Sequence, residues 1–301
     1  MNVHRIGIIG YGEVGKIFGA GLKRQPGIES VYAWDLKFAD VATQAVERDQ
    51  AARAGIGVHA SMQALCAASD LMISAVTASN ALAVAREVAQ HIRTGCVFLD
   101  LNSASPATKQ QAAALIDGAG GHYVEAGVMT SVPPHGIRVP MLLGGAKAAE
   151  LAAVLTGWGL DAKAVSEQLG VASAIKMCRS IMIKGLEALV IESYTTARRY
   201  GVEDHLLPTL AETFPSIDWH QQGAYFFSRV GQHGKRRAEE MREAAITVQE
   251  SGFEPFMATA TAAKHQWVAD QAAQGLFAGL ENDACWQQYA DRLIAALLLK
   301  S

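Results

Sequence analysis

The chain has 301 residues, 50% of them hydrophobic, which leaves room for about two domains with large buried cores. Its net charge is −3 and its basic residues are scattered apart from Lys235-Arg236-Arg237, so a nucleic-acid or anionic-membrane surface is not expected and a small molecule is the expected partner. The four cysteines (Cys66, Cys96, Cys178 and Cys285) form neither a CxxC nor a Cys/His cluster, which argues against a zinc site or disulfide framework and for reduced, mostly buried thiols in a cytoplasmic protein.

The apolar run Arg5-Ile6-Gly7-Ile8-Ile9 reads as a strand; it begins almost at Met1, where nothing resembles a signal peptide. Directly behind it stands Gly10-Tyr11-Gly12-Glu13-Val14-Gly15. In a dinucleotide-binding turn the first glycine permits the tight bend, the second lets the backbone approach a pyrophosphate, and the third lets the helix pack on the strand. The phosphates then rest on the N-terminus of that helix. Here the helix follows from Lys16, and Ser30-Val31-Tyr32-Ala33-Trp34 reads as a second strand ending at Asp35. A carboxylate at that place accepts hydrogen bonds from a ribose diol and repels a 2′-phosphate, so NAD is the expected cofactor. Lys37, two residues on, keeps NADP as a second option.

Leu71 to Val76 and Val97 to Asp100 are short apolar runs suited to strands buried on both faces, each followed by helical spacing. Such alternation predicts a parallel, doubly wound sheet. His122 to Ala126 and Val139 to Leu143 read as its outer strands. Ligands bind beyond the carboxyl ends of strands in this architecture, which singles out two loops. Ser74-Ala75-Val76-Thr77 has small groups to line the nicotinamide side, and Asn102 and Ser103 lie just past the next strand. Ser105-Pro106 reads as a plain helix start.

From about Val171 to about Tyr200 a helical pattern runs with few breakers, some 30 residues or ~45 Å at the usual rise, and Gly201 is a natural stop. Strand signals then largely vanish. Pro208, Pro215, Gly223, Gly231, Gly234 and Pro255 are expected to divide the rest into several helices. Trp219, Tyr225, Phe226 and Phe227 read as helix packing, while His233, between Gly231 and Gly234, suits an exposed loop or a pocket. The run Leu293 to Leu299 is too short to span a bilayer and reads as a helix end docked on the core or a partner subunit. The expectation is an α/β, doubly wound Rossmann-type sheet domain over residues 1–168, joined by a long helix to an all-α domain over residues 169–301.

Four stretches, taken together, resemble the β-hydroxyacid dehydrogenase superfamily, the group containing 3-hydroxyisobutyrate and 6-phosphogluconate dehydrogenases. They are Ile6 to Gly15, Asp100 to Lys109, Glu125 to Gly145, and Gly170-Val171-Ala172-Ser173-Ala174-Ile175-Lys176. The resemblance covers about residues 1–200, and the remainder looks like a less characterised branch. It implies that Lys176 is the catalytic lysine, taking the hydroxyl proton as hydride leaves or returning it to a carbonyl oxygen. To serve as base near neutrality the amine needs its pKa lowered by burial.

The chain departs from the family pattern where relatives carry Ser-Gly-Gly for a substrate carboxylate. Here stand Met129, Thr130 and Ser131, with Thr130 or Ser131 in place of the serine hydroxyl and Met129 as an apolar wall. Ser180 stands where relatives often have asparagine, and Lys235-Arg236 corresponds to the family's Lys-Asp pair, which places Lys235 at the cofactor. Arg138, Arg179 and Arg236 favour an anionic substrate. The resemblance also implies a homodimer. Two alternatives stand beside a hydroxy-acid dehydrogenase: an imine reductase, against which the retained Lys176 argues, and a non-catalytic dinucleotide-binding sensor or scaffold.

Overall fold

The computed structural model describes residues 1–281 and 283–298. The polypeptide divides into two compact units, Met1–Met177 and Cys178–Ser301. The sequence pattern, a long helical run after which strand signals vanish, puts the change of character at 168/169. The difference arises because the first turns of the long helix are fastened to the sheet unit, as shown below.

The first unit is an eight-stranded sheet with helices between the strands. In chain order it runs β1 Arg5–Ile9, α1 Glu13–Leu22, β2 Ser30–Trp34, α2 Gln44–Arg53, β3 Gly57–Val58, α3 Met62–Ala68, β4 Leu71–Ser74 and α4 Ala81–Ala89. Then follow β5 Val97–Asp100, α5 Pro106–Gly118, β6 His122–Val128, β7 Met141–Gly144, α6 Ala148–Gly157 and β8 Ala162–Ser166. The strand order is β3-β2-β1-β4-β5-β6-β7-β8, with every pairing parallel except β6 with β7. Thus β7 does not simply extend a parallel sheet, and the two-residue β3 and the edge strand β8 join it without the apolar runs that mark its centre.

Central strands bury both faces, which explains their unbroken apolar character. Ile6 and Ile8 of β1 point to one core with Phe18 and Leu22 of α1, while Ile9 and Met72 point to the other with Val88 and Ile116. Each such side chain contributes about 1.5–3 kcal/mol on burial. Cys66 and Cys96 lie in the second core, but Cys178 and Cys285 are exposed, so only two of the four thiols are buried as expected.

The long helix α7, Val171–Tyr200, begins in the first unit and continues into the second. The second unit adds α8 Glu203–Thr213, α9 Trp219–Glu250, α10 Phe256–Ala273 and α11 Trp286–Leu298. Leu293 is buried in its core; Leu299, Lys300 and Ser301 lie outside the described residues.

Several expected breaks are absent. Pro208 sits inside α8, and Gly223, Gly231 and Gly234 all lie inside α9. These glycines are packing devices: a Cβ on Gly223 would come 2.6 Å from the Tyr194 ring, and one on Gly234 would come 2.9 Å from the His265 carbonyl oxygen. His233 is therefore helical in context rather than in a loop, but its φ of −130° and ψ of 16° kink α9. Trp219, Phe226 and Phe227 belong to the core, with Tyr194, Trp286 and Tyr289, whereas Tyr225 is exposed.

A buried ionic layer lies within this helical unit. Arg237 makes a two-pronged pair with Glu187, and Lys184 bridges Glu240 at 2.9 Å and the Ser180 hydroxyl at 3.1 Å. His265 is fully buried beside them. Burial, reinforced by Arg237 and Lys184, pushes its pKa down to about 3, so its 3.7 Å approach to Glu187 is not an ion pair at neutral pH. An unfolded histidine takes up a proton below about pH 6.5, whereas the folded one refuses it until about 3. Stability is therefore expected to fall as pH drops through that window, by up to about 1.4 kcal/mol per pH unit from this residue. Urea unfolding at pH 7 and pH 4.5 checks this. His265→Met should flatten the dependence, and equal slopes in both proteins would refute it.

Candidate functional site

The strand order reverses direction between β1 and β4, the place where open α/β sheets open a crevice for ligands. Because β1, β2, β4, β5 and β6 run parallel to one another, the residues following each of them gather at one sheet edge. That edge carries the glycine turn, Asp35, Ala75 to Thr77, Asn102 to Ser103, and Met129 to Ser131.

At the turn, Gly10 has φ +88°, and a Cβ there would come 2.5 Å from the Ala75 carbonyl oxygen. Glycine is needed on both counts. A Cβ on Gly15 would be driven into the Gly10 carbonyl, so the third glycine is what seats α1 on the turn. Gly12, by contrast, has nothing within 4 Å of such an atom and supplies no side-chain cap to α1. The first-turn N–H groups and open space beside them suit a pyrophosphate. Glu13 is exposed and Val14 half-buried, while Tyr11 is buried against Phe38, ring centroids 5.4 Å apart. Tyr11 thus contributes its backbone here; burial, with Glu47 nearby, holds its hydroxyl above the ordinary tyrosine range.

Asp35 ends β2 as expected, and its carboxylate accepts the backbone N–H groups of Tyr11 at 2.6 Å and Lys37 at 2.9 Å. The acid is thereby oriented against the glycine turn, where a ribose would lie. Asp35→Ser is expected to weaken NAD binding about tenfold or more, the scale of losing charge-assisted hydrogen bonds, while binding of NADP falls less. Fluorescence titration with each cofactor checks this; an unchanged NAD to NADP ratio would refute it.

Asn102 sits at the expected edge but in an indirect role. Its side chain is almost fully buried: Oδ1 accepts the Val76 N–H at 2.7 Å and Nδ2 donates to the Ser74 hydroxyl at 2.9 Å. It clamps the loop after β4 to the loop after β5, so it serves the cofactor edge by holding Ala75, Val76 and Thr77 in place. Asn102 is held in turn by Asp100, which accepts its N–H at 2.8 Å. Asp100 also accepts the Tyr123 hydroxyl at 2.6 Å and pairs with the Lys109 ammonium at 3.1 Å, all three residues being buried. Burial, and then the charge of Asp100, pushes the Tyr123 hydroxyl well above its usual pKa, so it stays a donor.

Ser103 is half-buried and its hydroxyl accepts a hydrogen bond from the Lys176 ammonium at 2.5 Å. A loop residue of β5 and a residue of α7, 73 positions apart, are thus joined at the carboxyl edge. Two features of β6 bring the helix there. Buried Glu125 accepts the N–H groups of Gly170, Ala172 and Ser173 at 2.7, 3.1 and 3.3 Å, and a Cβ on Gly127 would come 2.9 Å from the Ala172 carbonyl oxygen. Neither Glu125 nor Lys109 stands out as a site residue in the sequence, since their roles depend on distant partners.

Met129 continues the β6 to β7 ladder through its N–H to the Pro140 carbonyl at 2.9 Å; Met129 and Ser131 are half-buried and Thr130 is exposed. The following loop folds back on α1, with Ile137 against Gly21 and Val132 and Val139 in the core. Arg138 is exposed. Ser180 and Lys235 belong to the helical unit, where Ser180 is buried against Lys184 and Lys235 is exposed. Among the described residues no group of three or more His, Cys, Asp or Glu is placed to hold a metal, and no helix is long and apolar enough to cross a membrane.

Residues 5–157 match the NAD binding domain of 6-phosphogluconate dehydrogenase, and residues 197–268 match a domain of unknown function (DUF1932). A conserved hypothetical protein from Sinorhizobium meliloti 1021 is 36% identical, with a TM-score of 0.77 over 98% of this chain and 97% of that one. The conserved protein MTH1747, described as of unknown function and structurally similar to 3-hydroxyacid dehydrogenases, is 31% identical, with a TM-score of 0.69 over 90% of this chain and 99% of its own. The 3-hydroxyisobutyrate dehydrogenase of Mycobacterium tuberculosis shares the fold, with 17% identity and a TM-score of 0.67 over 96% of this chain and 99% of that one. The chain therefore belongs to the family built on the NAD binding domain of 6-phosphogluconate dehydrogenase, within the β-hydroxyacid dehydrogenase superfamily, in a branch whose helical part carries the domain of unknown function.

Proposed function

We propose that the protein transfers hydride between a nicotinamide cofactor and a small hydroxy acid or the matching carbonyl compound, with Lys176 as general acid and base. The observation that carries this reading is the Lys176 amine on the Ser103 hydroxyl at the carboxyl edge of an NAD-binding sheet. The glycine turn and Asp35 would hold the pyrophosphate and ribose, and the bound nicotinamide would supply or accept the hydride. The chain's own part is to place an amine and a hydroxyl where the substrate oxygen must lose or gain a proton. In oxidation the neutral amine takes the hydroxyl proton; in reduction the ammonium returns it to the carbonyl oxygen.

Thr130 and Ser131, just beyond the end of β6, would meet the substrate, with Met129 as the apolar wall. Exposed Arg138 in the same loop region supports an anionic one. The loop lacks the two glycines of the family pattern, which supports a substrate different from that of the familiar dehydrogenases and keeps imines as a second class. An assay of the full chain with NAD and NADP against panels of hydroxy acids, carbonyl acids and cyclic imines tests the reading. Turnover of a hydroxy acid is the expected result. Imine reduction alone would transfer the protein to the second class, and tight cofactor binding with no turnover on any panel would overturn the enzymatic reading.

A further inference from the structure

One buried carboxylate governs how α7 leaves the sheet. Glu125 is fully buried in β6, where its neighbours across the sheet are Asp100 and Gly144. The gap it occupies is reserved by glycine, since a Cβ on Gly144 would come 2.5 Å from its Oε1. Both oxygens are engaged: Oε1 takes the N–H groups of Gly170 and Ala172, and Oε2 takes that of Ser173. These donors lie at the start of α7, where a helix has no partners of its own to offer. Gly170, at φ +96°, makes the bend that aims them at the strand. The same turn is pressed against the strand backbone at Gly127, where a Cβ would also come 3.4 Å from the Lys176 Cβ.

A neutral hydroxyl or amide oxygen could satisfy some of these donors without burying a charge, which is costly unless it is compensated. What a carboxylate adds is negative charge at the positive end of the helix. Lys176 lies three residues beyond Ser173, about 4.5 Å farther along the axis. Without that charge, the helix end would favour loss of the lysine's proton.

We propose that Glu125 is a positioning residue for Lys176, fixing both the place of its amine on Ser103 and the charge that the amine feels. The inference rests on the acid and base reading of Lys176, and its two parts separate in two variants. Glu125→Gln keeps the shape and the acceptor for Gly170 and Ala172 but removes the charge and the acceptor for Ser173, whereas Glu125→Asp keeps the charge and shortens the reach.

The substrate-free measurement is a 13C NMR titration of the full chain with isotopically methylated lysines, the Lys176 signal being identified by its loss in Lys176→Arg. Glu125→Gln is expected to lower the Lys176 pKa by roughly 0.5–1 unit, the size of a Coulomb interaction at about 10 Å in a partly wet site. Glu125→Asp is expected to leave that pKa near the parent value while kcat falls about tenfold with KM little changed. An unaltered Lys176 titration in Glu125→Gln overturns the charge role. Parent-like kcat in Glu125→Asp overturns the placing role, and this arm stands if the Gln variant fails to fold. Should Lys176→Ala retain full turnover, the acid and base reading fails, while the NMR shift still decides whether Glu125 sets the charge of the lysine.

Discussion

Lys176→Ala is expected to lower kcat by about 10²- to 10⁴-fold, the usual worth of a positioned proton-transfer group, while cofactor affinity stays within about twofold. The split follows from the architecture. The groups that would hold the cofactor are the glycine turn, Asp35 and the loop after β4, and Lys176 reaches the edge from α7 to meet Ser103. The alanine keeps the Cβ that packs near Gly127, so the packing of the helix start on β6 is retained while the bond to Ser103 is lost. The pH dependence supplies the sharper test. Oxidation needs the neutral amine, so its kcat/KM should rise with pH in the parent; reduction needs the ammonium, so its kcat/KM should fall. Both limbs should flatten in Lys176→Ala. A variant that keeps parental rates and both limbs would remove Lys176 from the chemistry.

What the sequence disclosed and what it withheld divide along the range of the interactions. The turn from Gly10 to Gly15 is legible because much of its chemistry is local: the positive φ of Gly10 and the approach of Gly15 to the Gly10 carbonyl demand glycine within one loop. The long helix is legible at both ends because Gly170 and Gly201, at φ +96° and +69°, bound a stretch with few breakers. Gly223, Gly231 and Gly234 mislead because their reason lies in aromatic rings and a carbonyl on other helices, not in their own backbone. The short strands Gly57–Val58 and Ala162–Ser166 escape notice because an edge strand carries little apolar signal. The same distinction holds at the site. Asp35 and Ser103 can be placed by counting from a strand end, but the clamp of Asn102 on Val76 spans 26 residues and the grip of Glu125 on α7 spans 45 to 48.

The buried pair beneath that clamp should give the largest stability effect in the sheet unit. Lys109→Met leaves Asp100 as a buried carboxylate still holding Tyr123 and the Asn102 N–H but deprived of its cation. Breaking such a pair from one side costs about 3–5 kcal/mol, because the remaining charge is uncompensated. For a unit of this size that corresponds to a fall in Tm of roughly 6–20 °C. The Lys109 ammonium also donates to the Asp100 carbonyl at 3.0 Å, at the point where the chain enters the Asn102 to Ser103 loop. Loosening there should weaken cofactor binding as well, by way of Val76. Removing the charge from both sides, in Asp100→Asn with Lys109→Met, should recover much of the lost stability, since an amide can still accept the Asn102 N–H and meet the Tyr123 hydroxyl. Thermal melts of the two single variants and the double variant, with and without NAD, form the cycle. If the double variant is as unstable as the sum of the singles, the cost lies in lost packing around Lys109 and not in the stranded charge.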